Sequence, residues 1–113
     1  MMRTIIKVLS EGQIEAIEVS DFELAESFIK KNIGTSDGSS YFERTSFFNI
    51  KGIDIICDEE GKLKNLQPSL KLENDVIVGH CIVASIEGNE EGEFAWYGLK
   101  DEQLDVVIEK LVF

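Results

Sequence analysis

The run Val76-Ile77-Val78-Gly79-His80-Cys81-Ile82-Val83-Ala84-Ser85-Ile86 constrains this chain more than any other segment. Read as extended backbone, it points Val76, Val78, His80, Ile82, Ala84 and Ile86 one way, and Ile77, Gly79, Cys81, Val83 and Ser85 the other. Apolar side chains on both faces need cover on both faces, so the run is expected to be a central strand. Its eleven residues fall short of the roughly 20 that a membrane helix takes, so no bilayer crossing is expected.

The remaining segments can be arranged around that strand. Arg3 to Leu9 is β-branched and apolar, Ser10-Glu11-Gly12-Gln13 makes a turn, and Ile14 to Val19 resumes the pattern, which predicts an N-terminal hairpin. Ser20-Asp21-Phe22-Glu23 has the form of a capping box, so a helix is expected to begin near Asp21. Leu24, Ala25, Phe28 and Ile29 share its inner face, Lys30 and Lys31 suit its C-terminal end, and Gly34 stops it. Thr35 to Ser40 reads as a polar loop.

Tyr41 to Ile50 is aromatic and strand-like, with Phe47 and Phe48 expected on opposite faces. After Gly52, Ile53, Ile55 and Cys57 share one face of a further strand, and Asp54, Ile56 and Asp58 the other. Leu63 to Leu72 holds the only proline, Pro68, and predicts an irregular or one-turn helical crossing that buries leucines 63, 66, 70 and 72. Glu93 to Tyr97 pairs back on the central strand. Leu104, Val107, Ile108 and Leu111 then define the inner face of a helix over Leu99 to Phe113, with Asp101 and Glu102 in its first turn.

The resulting order is ββα, two strands, a crossing segment, a strand pair and a terminal helix. The expectation is an α+β fold, a mostly antiparallel sheet with two main helices over it. A chain of 113 residues fits one domain, 1–113. Hydrophobic residues at 43% and charged residues at 29% suit a chain that folds unaided.

Charge narrows the partner classes. The chain carries 22 acidic and 11 basic side chains, a net charge of −11. Residues 1–57 hold 9 acidic and 6 basic groups (net −3), and residues 58–113 hold 13 and 5 (net −8), so the acidity concentrates in the C-terminal half. Direct contact with nucleic acid or anionic lipid is therefore not expected. Two readings of the acidity stand: a solvated surface that maintains solubility, or a negative face that meets a basic partner, including one that normally holds DNA. The N-terminus lacks a signal-peptide pattern, and Cys57 and Cys81 lie in apolar runs without CxxC spacing. Buried free thiols and a cytoplasmic location are expected.

From Ile55 onward, Ile55-Ile56-Cys57-Asp58-Glu59-Glu60-Gly61-Lys62-Leu63, Leu66, Pro68, Asp75-Val76-Ile77-Val78-Gly79 and Gly92-Glu93-Phe94 with Leu99, Asp101, Glu102 and Gln103 resemble the family catalogued as domain of unknown function 3846. The resemblance covers about half the chain. It implies a setting in phages, plasmids and other bacterial mobile elements, chiefly of low-GC Gram-positives, and no reaction. The chain departs from the family's pattern where Asp58 replaces Asn, Ser69-Leu70 replaces an Asn-Arg pair, and His80 replaces a small or hydroxylated residue.

No residue pattern carries chemistry strongly. Asp58-Glu59-Glu60-Gly61 and Asn89-Glu90-Glu91-Gly92-Glu93 lack the alternating ligands and bidentate Glu of a calcium loop, so both read as turns and no metal or other cofactor is expected. His80 and Cys81 point to opposite faces, whereas Cys57 and His80 could meet across neighbouring strands. A backbone-bonded His80 is the preferred reading. Phe94, Trp96 and Phe113 could form an exposed patch, which would indicate a homodimer, but core packing is expected for them.

The expectation for function is a non-catalytic factor that binds an unidentified protein through an acidic surface around Glu59, Glu60, Glu90, Glu91 and Glu93. Its sharpest form is a DNA-mimicking inhibitor of host defence. The alternatives are a small-ligand protein or enzyme with a pocket near Cys57 and His80, and a structural or phage-associated component.

Overall fold

Alternation of side chains accounts for most of the sheet that the chain builds. A computed structural model describes residues 2–33, 41–61 and 64–112. Its N-terminal hairpin joins β1 (Met2–Val8) to β2 (Ile14–Ser20), in register from Met2 opposite Ser20 to Val8 opposite Ile14. Next come the short helix α1 (Glu26–Asn32) and strands β3 (Phe42–Ser46) and β4 (Ile53–Asp58). The small strands β5 (Pro68–Lys71) and β6 (Val76–Val78) lead into β7 (Cys81–Gly88) and β8 (Phe94–Tyr97), and α2 (Asp101–Val112) closes the chain.

The main sheet runs β2-β1-β7-β4-β3, with β8 pairing β7 beyond the reach of β1, and its ladders are antiparallel. The fold is thus α+β, a mostly antiparallel sheet with two helices. Strand β7 is central as its composition requires: Cys81 and Val83 join the cluster beneath α2, while Ile82 and Ala84 join the cluster beneath α1. Strand β4 divides likewise, Ile53, Ile55 and Cys57 facing α2 and Ile56 facing α1.

Several segments differ from their sequence patterns, each for a tertiary reason. Helix α1 starts at Glu26, not Asp21, and Ala25 supplies no side-chain cap. Ser20 is spent in the β1 ladder, and the Leu24 N–H donates to the Trp96 carbonyl (2.8 Å), which holds the would-be first turn against β8. The expected stop at Gly34 and the loop at Thr35 to Ser40 lie outside the described residues.

Strand β3 ends at Ser46 because Phe48 and Asn49 turn through the left-handed region (φ 49° and 60°), closed by the Ile50 N–H on the Phe47 carbonyl (2.9 Å). Phe47 and Phe48 therefore do not occupy opposite strand faces; both pack in the cluster beneath α2, edge to face with centroids 4.9 Å apart.

The segment around Pro68 is a strand rather than an irregular crossing. Proline stands first in β5, where a missing N–H costs least, and the strand pairs β6 with a bulge between Pro68 and Leu70. Leu63 lies outside the described residues. The long apolar run also divides. Gly79, at φ 78°, turns the chain out of β6 before β7 begins at Cys81, and its N–H donates to the Gln67 carbonyl (2.7 Å). In α2, Val107 is buried and Leu104 and Leu111 pack inward, but Ile108 is 43% exposed.

Candidate functional site

The five carboxylates singled out in the sequence do not form one surface. Extending the register Ile56 opposite Ile82 puts Asp58 opposite His80, so Glu59 and Glu60 follow the end of β4 beside the start of β7. Glu90, Glu91 and Glu93 follow the far end of β7, which at eight residues separates the two turns by roughly 25 Å. Both turns are built by side-chain anchors. Asp58 Oδ1 accepts the Glu60 N–H (2.9 Å) and Oδ2 the Lys64 ammonium (2.8 Å); Asn89 Oδ1 accepts the N–H groups of Glu91 and Glu93, each at 3.0 Å. Glu59 lines a small depression of about 100 Å³ together with Glu43, Cys57 and Asp75.

The Cys57–His80 pair is not assembled either. His80 Nδ1 accepts the Ser10 N–H (2.9 Å) from the β1–β2 turn, whereas Cys57 Sγ lies 4.0 Å from Glu43 Oε1 on the opposite side of β7. Cys81 is wholly buried, and burial pushes its thiol up to about 12, with Ser69 Oγ at 3.8 Å. A thiol so held stays protonated at neutral pH and is a poor nucleophile. Among the described residues no group of His, Cys, Asp and Glu is placed to hold a metal ion, and no helix is long and apolar enough to cross a membrane.

A different set of residues converges at the 89–93 turn. The Asn89 side-chain amide donates to Glu23 Oε1 (3.3 Å), which ties the stretch before α1 to the hairpin turn. Asp21, Phe22 and Glu23 then face Glu90, Glu91 and Tyr97 across an open depression of about 450 Å³. Tyr97 has its hydroxyl pushed above its usual range by partial desolvation and by the negative field of Glu23, Glu87 and Glu90, against the opposing pull of Arg3, whose guanidinium lies 5.6 Å from the ring centre.

Beside it, sharing Glu23, lies a groove of about 200 Å³ between α1 and β8, lined by Leu24, Ile29, Phe42, Phe94 and Trp96 with Glu26 at the rim. Phe94 and Phe22 are 80% and 76% exposed, so the expected core packing fails for Phe94 while Trp96 is half-buried; Phe113 lies outside the described residues. No Lys or Arg is among the described residues lining either depression, although Lys30 pairs with Glu26 across one helical turn (3.0 Å).

The groove's floor is held rigidly. Asp54, 1% exposed, accepts the Arg44 Nε and Nη2 hydrogens at 2.6 Å each and the Trp96 indole N–H at 3.0 Å. Trp96 also meets Phe42 edge to face at 5.7 Å. Sequence reasoning missed Arg44 and Phe22. An Asp inside the apolar run Ile53 to Cys57 is the one signal that could have found Arg44, since a buried carboxylate requires a partner.

Comparison with known proteins bears out the family resemblance read from the sequence. The family model described as Domain of unknown function (DUF3846) matches residues 3–111. No curated protein and no solved structure matches the chain.

Proposed function

The chain belongs to the domain of unknown function 3846 family, and from that premise we propose that it acts without catalysis, by binding another protein. The docking face is the end of the sheet where residues 21–26, the 89–93 turn and β8 meet. One observation carries this reading: the two most exposed phenylalanines among the described residues border adjoining depressions that share Glu23, Phe22 beside Asp21, Glu90 and Glu91, and Phe94 beside Glu26. Aromatic side chains left in water cost free energy unless something covers them, and protein interfaces are enriched in them. The surrounding carboxylates favour a basic partner and repel an acidic one.

The separation of the two acidic turns weighs against mimicry of a phosphate row, because Glu59 and Glu60 cannot join Glu90, Glu91 and Glu93 in one strip. Affinity capture tests the docking reading, with the wild-type chain compared with a Phe22→Ser, Phe94→Ser double variant and retained proteins identified by mass spectrometry. A protein held by the wild type at low salt and lost from the variant is expected. Identical capture by both would refute the assignment of this face.

A further inference from the structure

The groove beside Phe94 has a shape and volume that narrow the partner's chemistry. At about 200 Å³ it is smaller than the roughly 300–1,000 Å³ of sites that enclose a whole small molecule. One large apolar side chain is the ligand of that scale, and the lining offers it aliphatic and aromatic contacts from Leu24, Ile29, Phe42 and Trp96. The walls need little reorganisation on binding: Trp96 is fixed by its indole bond to Asp54, and Phe42 by its edge contact with Trp96. Such preorganised aromatic pockets are where interface binding energy concentrates.

The surroundings of the groove supply the second constraint. Glu23 borders both depressions, and Glu90 and Glu91 continue the negative charge along the open one, while Glu26 on the other rim is already engaged by Lys30. Residues 34–40, Gly-Thr-Ser-Asp-Gly-Ser-Ser, which follow α1 in sequence, contain no large apolar side chain. A second copy would bring the same negative rim against this one, since both carry the chain's net charge of −11. Charge complementarity thus points to a basic occupant.

Resting on the docking reading above, we propose that the partner presents an extended Lys/Arg-bearing segment with a single aromatic or branched aliphatic anchor. The anchor seats in the groove beneath Phe94 against Phe42 and Trp96, and the flanking cations lie along Glu23, Glu90 and Glu91. Phe94 acts as the lid that excludes water from the seated side chain. The carboxylates set the approach and the salt dependence, and the groove sets the choice of anchor.

The test is a selection from a random twelve-residue peptide display library on the immobilised wild-type chain, followed by titration of enriched peptides that lack tryptophan. Trp96 is the only tryptophan, so its emission reports directly on the groove. Enriched peptides should combine two or more Lys or Arg with a Leu, Ile, Val or Phe, and should shift Trp96 emission saturably. Phe94→Ala should weaken them about tenfold while leaving the salt dependence intact. A Glu23→Gln, Glu90→Gln, Glu91→Gln triple variant should weaken binding and flatten that dependence. These side chains are exposed, and an unchanged melting temperature confirms that each variant folds. Enriched peptides that are basic without an apolar residue, leave Trp96 unmoved and ignore Phe94→Ala would overturn the anchor and leave the docking face standing. If no enriched peptide is sensitive to either variant, both readings fall.

Discussion

The two faces of the sheet receive unequal cover. On one, the twelve-residue α2 and the β5–β6 hairpin close over Ile6, Val8, Phe47, Ile53, Ile55 and Val83, and Gln103 of α2 fastens to the Gly52 carbonyl (3.2 Å) and to Ser85 Oγ (3.1 Å). On the other, the seven-residue α1 covers Ile5, Ile56, Ile82 and Ala84, and its remaining border is made by partly exposed aromatics and by an ion pair whose Asp54 end is buried and whose Arg44 end is half exposed. The difference teaches where function can reside. A face sealed by apolar packing stabilises, while a face under a short helix keeps apolar surface available to a partner.

The largest way to disturb this division is through the ion pair. Arg44→Met removes the bidentate partner of the buried Asp54 carboxylate, so a loss of about 3 kcal/mol is expected in urea unfolding. Trp96 emission should also change, because Asp54 holds the indole. On the sealed face, Val107→Ala should cost about 2 kcal/mol through the cavity it leaves and should not touch peptide binding. Equal loss of binding in that variant would show that the faces are not independent.

Gly79→Ala sharpens the comparison between β6 and β7. A methyl group there meets Leu66 Cδ1 at 2.7 Å and stands at φ 78°, so a loss of about 1–2 kcal/mol is expected, read as a lower urea midpoint.

A smaller effect concerns Glu87. Desolvation raises its carboxyl, but the Ser85 hydroxyl (2.6 Å) and Arg3 guanidinium (2.7 Å) outweigh that, and the group lies below its usual value of 4.5. A depressed folded value means that the contribution is complete above about pH 4.5 and is lost as pH falls through the lower folded value. Glu87→Gln should therefore be less stable than wild type at pH 7 by a fraction of a kcal/mol, and the gap should close on acidification below that point.

The sequence was legible where alternation decides structure. Ile53, Ile55 and Cys57 against Asp54, Ile56 and Asp58 fixed the two sides of β4, and Val83 and Ala84 marked β7 as central. It was not legible where a distant backbone group decides. The capping box at Ser20 and Glu23 is locally sound, yet Ser20 pairs with Met2, Glu23 with Asn89, and Leu24 with Trp96. Likewise, Gly79 inside Val76–Ile86 is a local sign of a break, but that it ends β6 there depends on the distant bond of its N–H to the Gln67 carbonyl.

The candidate site divides the same way. The charges at Glu90, Glu91 and Glu93 could be read directly, but their separation from Glu59 and Glu60 follows from the β4–β7 register. Phe22 was hidden inside a helix signal, and it is exposed on the non-helical path that replaces that helix turn.

Phe94→Ala stands at the lower end of the stability scale, within about 0.5 kcal/mol of wild type, since the side chain is 80% exposed. Measuring its unfolding midpoint and its affinity for the selected peptide in the same buffer tests the central claim most directly. An unchanged midpoint with about tenfold weaker binding is the predicted result. A lowered midpoint, or binding equal to wild type, would contradict it.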